Sequence, residues 1–314
     1  MSTSKLSKYF LVSVLTPPMS RTLILGTRGS LLATTQSQWV ANQLNGVPVK
    51  LEIIKTAGDD ISISLMDPTQ PGAFVNALRS ALLARRVDFI VHSLKDLPSK
   101  THPDISLAAI PLREDARDVL VSFGNIELDE ITVGSVIGTS SPRRMAAIKS
   151  RNPNLVTQPI RGNVDSRIQK VRDGEYAGAV LAAAGLIRIG RGSEIAQYFD
   201  IGDVVPAPAQ GALAVECRAE DQEMIELLAT IDDAPTRLTS ITERAVLEGL
   251  SAGCDVAIGA FCAIESGSLQ LLAELGDLTT GKKQRVQEST EFTSLLDHKA
   301  ARNLGLKVAR KFVR

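Results

Sequence analysis

The chain predicts an α/β protein of several domains, and three observations predict it. Strand-like apolar runs alternate with helix-length runs through its first two thirds. Two crossings, one around Pro111 to Arg117 and one at Pro206-Ala207-Pro208-Ala209-Gln210-Gly211, divide that alternation into two units joined by a hinged cleft. A third series then starts at Asp232-Asp233-Ala234-Pro235. With 314 residues there is chain enough for two or three domains with substantial cores.

In order along the chain, Thr22 to Gly26 reads as a strand and Leu31 to Leu44 as a helix. Lys50 to Ile54 reads as a strand, Phe74 to Arg86 as a helix, and Val87 to Val91 as a buried strand. The second unit begins with strand residues Val136-Ile137. It continues through a helix from Pro142 to Ser150, a strand from Leu155 to Ile160, a helix from Val164 to Arg172 and a strand from Ala177 to Leu181. Such alternation is the signature of parallel sheets, and the two units share a plan. A helix is expected near Asp221 to Ile231 and another from Thr236 to Leu250. A Gly-containing loop, further strands and a last helix from about Thr293 complete a small third α/β domain.

Charge points to a class of ligand. Between Gly138 and Arg191 stand Arg143, Arg144, Arg151, Arg161, Arg167, Arg172, Arg188 and Arg191, against only Asp165, Asp173 and Glu175. Guanidinium groups read carboxylate or phosphate as a two-pronged fork, so this stretch suggests a small polyanion. The chain as a whole is neutral and aromatics make up only 4 % of it, with Trp39 the single tryptophan, which argues against nucleic acid. The longest apolar runs, such as Ala177 to Ile187, are too short to span a bilayer. Cys217, Cys254 and Cys262 form no disulfide framework and suggest a reducing compartment, while His92, His102 and His298 are too few for a zinc site to be expected. Residues 1–20, with Lys5, Lys8 and the apolar run Tyr9 to Leu15, faintly resemble a secretion signal but lack a small-x-small cleavage site. They are read as a disordered leader or as the consequence of a start at Met19.

Three places share one local design, a strand running into a Gly/Ser/Thr turn and then a helix: Gly26-Thr27-Arg28-Gly29-Ser30, Gly138-Thr139-Ser140-Ser141-Pro142-Arg143-Arg144 and Arg161-Gly162-Asn163-Val164. Ser141 suits an N-cap with Pro142 at the first helical position. Helix N-termini offer unpaired amides and partial positive charge, so each turn can hold an anion beside its arginine. His92-Ser93-Leu94-Lys95-Asp96-Leu97-Pro98 sets a carboxylate next to an ammonium at a strand end. Among so many cations Asp96 should stay ionised, able to stabilise a cationic intermediate or shuttle a proton. Cys254, in the loop Ser251-Ala252-Gly253-Cys254-Asp255, has the setting of a reactive thiol or attachment point, whereas Cys217 and Cys262 sit in strand-like apolar runs. On residue chemistry alone two readings stand, a non-catalytic two-lobed binding protein for dicarboxylates or phosphorylated ligands and a cysteine hydrolase, and a covalent attachment point at Cys254 is equally open.

Taken together, the motifs resemble the porphobilinogen deaminase (hydroxymethylbilane synthase) family. The resemblance runs from about Thr22 to the C-terminus. It is carried by GTRGSLLA at Gly26, HSLKDLP at His92, GTSSPRR at Gly138, RGNVDSR at Arg161, AGLIRIG at Ala184, PAQGALAVECR at Pro208 and AGCDVAIG at Ala252, in the family's order. It implies three α/β domains, the first two hinged and similar to type-2 periplasmic binding proteins, the third bearing a cofactor-carrying cysteine loop. The expected limits are 21–112 plus 212–231, 113–211 and 232–314. It implies a transferase that adds four porphobilinogen units head-to-tail to a dipyrromethane primer, with loss of ammonia, to give hydroxymethylbilane. The cofactor would be joined to Cys254 through a thioether. Asp96 matches the catalytic carboxylate, which would stabilise the azafulvenium cation, and Lys95 is its supporting charge. Ser93, Lys95, Asp96, Thr139, Ser141, Arg143, Arg144, Arg161, Gly162 and Arg167 match cofactor contacts. Arg28, Ser30, Arg161, Arg167, Arg188 and Gln210 match substrate contacts. A cytoplasmic monomer without metal, nucleic-acid or membrane partners is implied as well.

One departure from the family pattern stands out. Asp67-Pro68-Thr69-Gln70-Pro71-Gly72 has no cation where many members carry two lysines in a glycine-rich loop, and Ala57 precedes Gly58-Asp59 where arginine is common. The departure bears on lid contacts and turnover speed more than on the reaction.

Overall fold

A computed structural model of the chain describes residues 21–55, 73–251 and 256–312. The expected leader, the Asp67 to Gly72 segment with Ala57 to Asp59, and Cys254 lie outside the described residues.

The first five-stranded sheet is built from β1 (Leu23–Thr27), β2 (Val49–Ile53), β3 (Phe89–Ser93), β4 (Ile105–Ala109) and β10 (Leu213–Arg218), in the order β2-β1-β3-β10-β4. The second comprises β5 (Asp118–Ser122), β6 (Val136–Gly138), β7 (Val156–Gln158), β8 (Gly178–Ala182) and β9 (Gln197–Tyr198), in the order β7-β6-β8-β5-β9. The two orders are one plan used twice: three parallel strands, then a strand that runs antiparallel, then an edge strand. Neither sheet is purely parallel, contrary to the reading from alternation. In each, the antiparallel strand is the one adjoining a crossing. The chain leaves the first sheet after Ala109, enters the second at Asp118 and returns at Leu213, so β5 and β10 run against their neighbours.

Helices cover both faces of each sheet, which is why the central strands are buried and mostly apolar. Against the first sheet lie α1 (Leu31–Gln43) and α6 (Gln222–Ala229) on one side, through Val40, Ala41, Met224 and Leu228. α2 (Ala73–Leu83) lies on the other through Leu78, Ala81 and Leu82. α2 stops short of the expected Arg86 because Arg85 has turned to φ 56°, which ends the helix. In the second unit, α3 (Pro142–Arg151) buries Ala147 and Ile148 against Leu120, Ile137 and Val180. α4 (Val164–Arg172) and α5 (Ala183–Arg188) bury Ile168, Val171 and Leu186 on the opposite face.

The third unit is an antiparallel meander of β11 (Ile258–Glu265), β12 (Ser268–Gly276) and β13 (Lys283–Glu291). One face is packed by α7 (Ala234–Leu250) and α8 (His298–Phe312) through Leu238, Val246, Leu304 and Val308. α8 starts five residues later than expected. Asp297 caps it, accepting from the Ala300 amide at 3.1 Å and, on its other oxygen, from the Thr293 amide and hydroxyl. Among the described residues no helix is long and apolar enough to cross a membrane.

A buried ion pair ties the third unit to both crossings. Glu243 of α7 is fully enclosed, receives both terminal nitrogens of Arg113 at 2.7 and 3.1 Å, and also accepts from the Ala209 amide at 2.6 Å and the Cys262 amide at 2.9 Å. Arg113 Nε in turn donates to the Gln210 carbonyl at 2.7 Å. The crossings also touch directly. Gly211 has φ +90°, and a Cβ there would sit 2.3 Å from the Glu114 carbonyl oxygen, so only glycine allows the two strands of the hinge to pass this closely.

Candidate functional site

All three turns singled out by composition end in an N-cap at the carboxyl end of a parallel strand, where α/β sheets bind ligands. Ser30 Oγ accepts from the Ala33 amide at the start of α1, Ser141 Oγ from the Arg144 amide at the start of α3, with Pro142 next to it, and Asn163 Oδ1 from the Ser166 amide at the start of α4. Each cap occupies one amide of its first turn and leaves others free to bind an anion. Gly162 stands at φ +109°, and a Cβ there would fall 2.2 Å from Ser166 Oγ, so the Arg161 to Asn163 turn needs glycine at this place. Thr139 is buried, and its hydroxyl accepts from the Ser141 amide at 3.2 Å.

The centre of the site is a carboxylate that the sequence reading did not single out. Asp118, at the head of β5, has no exposed surface. Its oxygens take Arg143 Nη1 at 2.5 Å, Arg144 Nε and Nη2 at 3.0 and 2.8 Å, and the Gln210 amide at 2.9 Å. Burial alone would raise its pKa, but Arg143 and Arg144 outweigh that and hold it well below the usual carboxylate range. The remaining donors of the pair are partly spent as well: Arg143 Nη1 reaches the Val205 carbonyl at 2.9 Å and Arg144 Nη1 the Val180 carbonyl at 3.0 Å. Two guanidinium groups against one carboxylate leave the cluster with a net positive charge facing the α3 N-terminus.

Lys95 extends this cluster from the first unit. Its ammonium donates to Gln210 Oε1 at 3.2 Å, and burial, followed by the field of Arg144, pulls its pKa down to about 8. Asp96 is exposed on the single turn Leu94–Asp96 that follows β3, and its charge acts on both Lys95 and Arg144. Ser93, the last residue of β3, accepts from Gln36 Nε2 of α1 at 3.2 Å. Gln210, expected among the substrate contacts, is wholly buried with both ends of its amide engaged: besides Lys95 and Asp118 it bonds to the Ala116 carbonyl at 2.8 Å and Arg144 at 3.4 Å. It joins the two units across the hinge.

The arginine-rich stretch separates into groups that composition could not distinguish. Arg151, Arg172 and Arg191 lie in surface ion pairs with Asp129 and Asp203, with Glu194, and with Asp165 and Glu194 respectively. Arg161 is exposed, and among the described residues nothing holds it. Arg167 Nε donates to the Gly162 carbonyl at 2.9 Å, and its pKa is lowered by burial and then by Arg144. Arg188 donates to the Gly211 carbonyl at 2.8 Å. Burial brings its pKa down to about 10, partly offset by Glu114. A cavity of about 310 Å³ opens beside it, lined by Thr35, Trp39, Leu112, Arg113, Glu114 and Ile187. Arg28 lies in the β1–α1 turn, close enough to help depress the pKa of buried His92 to about 3, after desolvation and Arg79. The structure thus gathers Lys95, Asp96, Gln210, Arg143 and Arg144, with Arg167 near enough to feel Arg144, and sets Arg188 at the hinge.

Asp118, Glu243 and Arg113 escaped the sequence reading. A signal for Asp118 exists in Ala116-Arg117-Asp118-Val119-Leu120-Val121, where a carboxylate opens an apolar strand and must find a cation once buried. Cys217 and Cys262 are buried, and desolvation pushes both thiols up to about 12, which makes them inert packing residues.

Comparison with known proteins agrees over most of the chain. The family description "Porphobilinogen deaminase, dipyromethane cofactor binding domain" matches residues 23–226, and "Porphobilinogen deaminase, C-terminal domain" matches residues 237–314. The porphobilinogen deaminase of Mycobacterium leprae is 46 % identical over 242 residues, covering 76 % of each chain. Porphobilinogen deaminase 1 of Streptomyces avermitilis is 44 % identical over 308 residues, covering 93 % of this chain and 94 % of that one. Among solved structures, an arginine-specific periplasmic binding protein of Salmonella typhimurium aligns with a TM-score of 0.38 at 11 % identity, over 69 % of this chain and 94 % of that one.

Proposed function

The chain belongs to the porphobilinogen deaminase family, and on that premise we propose that the cleft between its first two units performs the family's reaction with Asp96 as the catalytic carboxylate. The enzyme is a transferase that polymerises porphobilinogen into hydroxymethylbilane on a dipyrromethane cofactor. The observation that carries the residue assignment is the convergence of Lys95, Gln210, Arg143 and Arg144 beside Asp96, at the N-terminus of α3.

The donor set fits such a cofactor. Its pyrroles carry acetate and propionate groups, and the cleft offers three capped helix starts, a net cationic cluster and several arginines not paired with an acid. Ser93, Lys95, Thr139, Ser141, Arg143, Arg144, Arg161, Gly162 and Arg167 are the residues that would hold the dipyrromethane, with Cys254 as its covalent anchor. Bound there, it supplies the free pyrrole position at which the chain grows. Arg28, Ser30, Arg161, Arg167 and Arg188 would bind the incoming porphobilinogen carboxylates. Gln210, being enclosed, acts by fixing Lys95 against the Asp118 cluster. Asp96, an exposed carboxylate, is suited to hold the cation formed when porphobilinogen loses ammonia. The domain limits 21–112 plus 212–231, 113–211 and 232–314, supported by the two chain crossings, and a cytoplasmic location, supported by the free buried thiols, belong to the same proposal, as does the monomeric state that the family resemblance implies.

Intact mass tests the anchor. Purified protein should exceed its sequence mass by two linked pyrrole units, and that excess should map to the Cys254 peptide. Cys254→Ser should lack it and release no ammonia from porphobilinogen. A bare Cys254 after incubation with porphobilinogen would overturn the assignment and favour a binding protein. The pH profile tests Lys95. If its ammonium is the working form, turnover should fall as pH rises through about 8, and Lys95→Met should lose that limb along with most activity.

A further inference from the structure

We propose that Arg244, on α7 of the third unit, is a positioning residue for Asp96, an inference that rests on the reading of Asp96 as the catalytic carboxylate. The Arg244 fork closes on the backbone of the catalytic turn. Nη1 donates to the Leu94 carbonyl at 2.9 Å and the Leu97 carbonyl at 3.1 Å, and Nη2 to the Pro98 carbonyl at 2.6 Å. These acceptors bracket Lys95 and Asp96 on both sides. The turn has little to hold it otherwise. It is three residues long, the internal bond from the Leu97 amide to the Leu94 carbonyl is 3.2 Å, and the side chain of its own N-cap, Ser93, gives it no hydrogen bond. Two further anchors come from the returning crossing just before β10: the Leu94 amide donates to the Ala212 carbonyl at 3.0 Å, and Lys95 donates to Gln210. Arg244 adds a planar cation whose two terminal nitrogens serve three carbonyls at once, a geometry that a lysine with one nitrogen cannot reproduce.

The neighbour of Arg244 gives this contact its consequence. Glu243 grips both hinge crossings through Arg113 and the Ala209 amide, so two consecutive residues of one helix fix the hinge and the catalytic turn to the same rigid body. α7 ends at Leu250, four residues before Cys254 in the sequence. The helix that leads into the anchor loop is therefore also the helix that sets the height of Asp96 in the cleft. Burial lowers the Arg244 pKa, with Glu216 and Arg79 of the first unit facing it, but leaves it a cation at any working pH.

The experiment compares Arg244→Ala, Arg244→Lys and Asp96→Asn with the wild type as purified holoenzyme. For Arg244→Ala we expect the Cys254 adduct to remain by intact mass, kcat for ammonia release to fall about 10- to 100-fold with KM changed little, and hydrogen exchange to rise in a peptide spanning His92 to Lys100. Exchange in peptides from β12 and β13 should stay at wild-type rates. Arg244→Lys should recover part of kcat and part of the protection. Wild-type kcat per loaded enzyme, or unchanged exchange at 92–100, would overturn the proposal. Should Arg244→Ala fail to fold, Arg244→Lys decides by the same two readouts, wild-type values in both being fatal. If Asp96→Asn keeps full turnover, the reading of Asp96 fails instead, whatever Arg244 does.

Discussion

Asp118→Ala is expected to destabilise the protein by about 3–5 kcal/mol and to strip the cleft of its cofactor, because it removes the one carboxylate that balances two buried guanidinium groups. Arg143 and Arg144 are each only 7 % exposed and cannot swing into water without opening the β5–β8 region. Left unpaired, they would repel each other and Lys95, whose ammonium Asp118 now favours. Gln210 would lose an acceptor as well. Asp118→Asn keeps the shape and a hydrogen-bonding oxygen but not the charge, so a smaller loss is expected. Denaturant unfolding of the three proteins, with adduct mass measured in parallel, orders them wild type, Asn, Ala. Acid should compress that order. The folded pKa of Asp118 lies below its unfolded value, so its contribution is complete above the ordinary carboxylate range near pH 4 and is lost as pH falls toward the depressed value. The gap between wild type and Asn should therefore narrow below about pH 4. An alanine variant that unfolds at the wild-type denaturant concentration would mean that the two arginines find other partners.

What could be read in the sequence was what depends on neighbours within a turn or two. The starts of α1, α3 and α4 were legible because Ser30, Ser141 and Asn163 cap the third amide along, a contact that needs no tertiary fold. α4 ends at Arg172 as expected, since the core-facing Ile168 and Val171 mark its period. The mixed character of the sheets was not legible. Nothing local in Leu213 to Arg218 says that this strand inserts between β3 and β4 after the chain has built another sheet. Asp118 was missed for the same reason, because its partners lie 25, 26 and 92 residues away. Composition found the arginine excess, but burial and pairing had to separate Arg143, Arg144, Arg167 and Arg188 from Arg151, Arg172 and Arg191 on the surface. Gln210 could be named from the motif around it, while its enclosure, and with it a positioning part in place of a substrate contact, belongs to the hinge geometry.

Asp96→Asn should be the variant that separates chemistry from everything else. Its side chain is exposed, and among the described residues no hydrogen bond or ion pair holds it, so the amide should leave the fold and the Cys254 adduct in place. Turnover should drop by about 10²- to 10⁴-fold, the range set by removing a group that moves or stabilises a proton in the transition state. A second effect marks the mechanism. Asp96 raises the pKa of Lys95 against the larger lowering effects of burial and Arg144. Without that negative charge the ammonium is less favoured, so the alkaline limb of whatever activity remains should move below about pH 8. Ammonia release measured from pH 6 to 10 on adduct-bearing Asp96→Asn protein reads both at once. A two-lobed binding protein would keep its affinity for carboxylate ligands and show neither change. Loss of turnover with an unmoved limb would keep Asp96 in the chemistry and remove Lys95 from it.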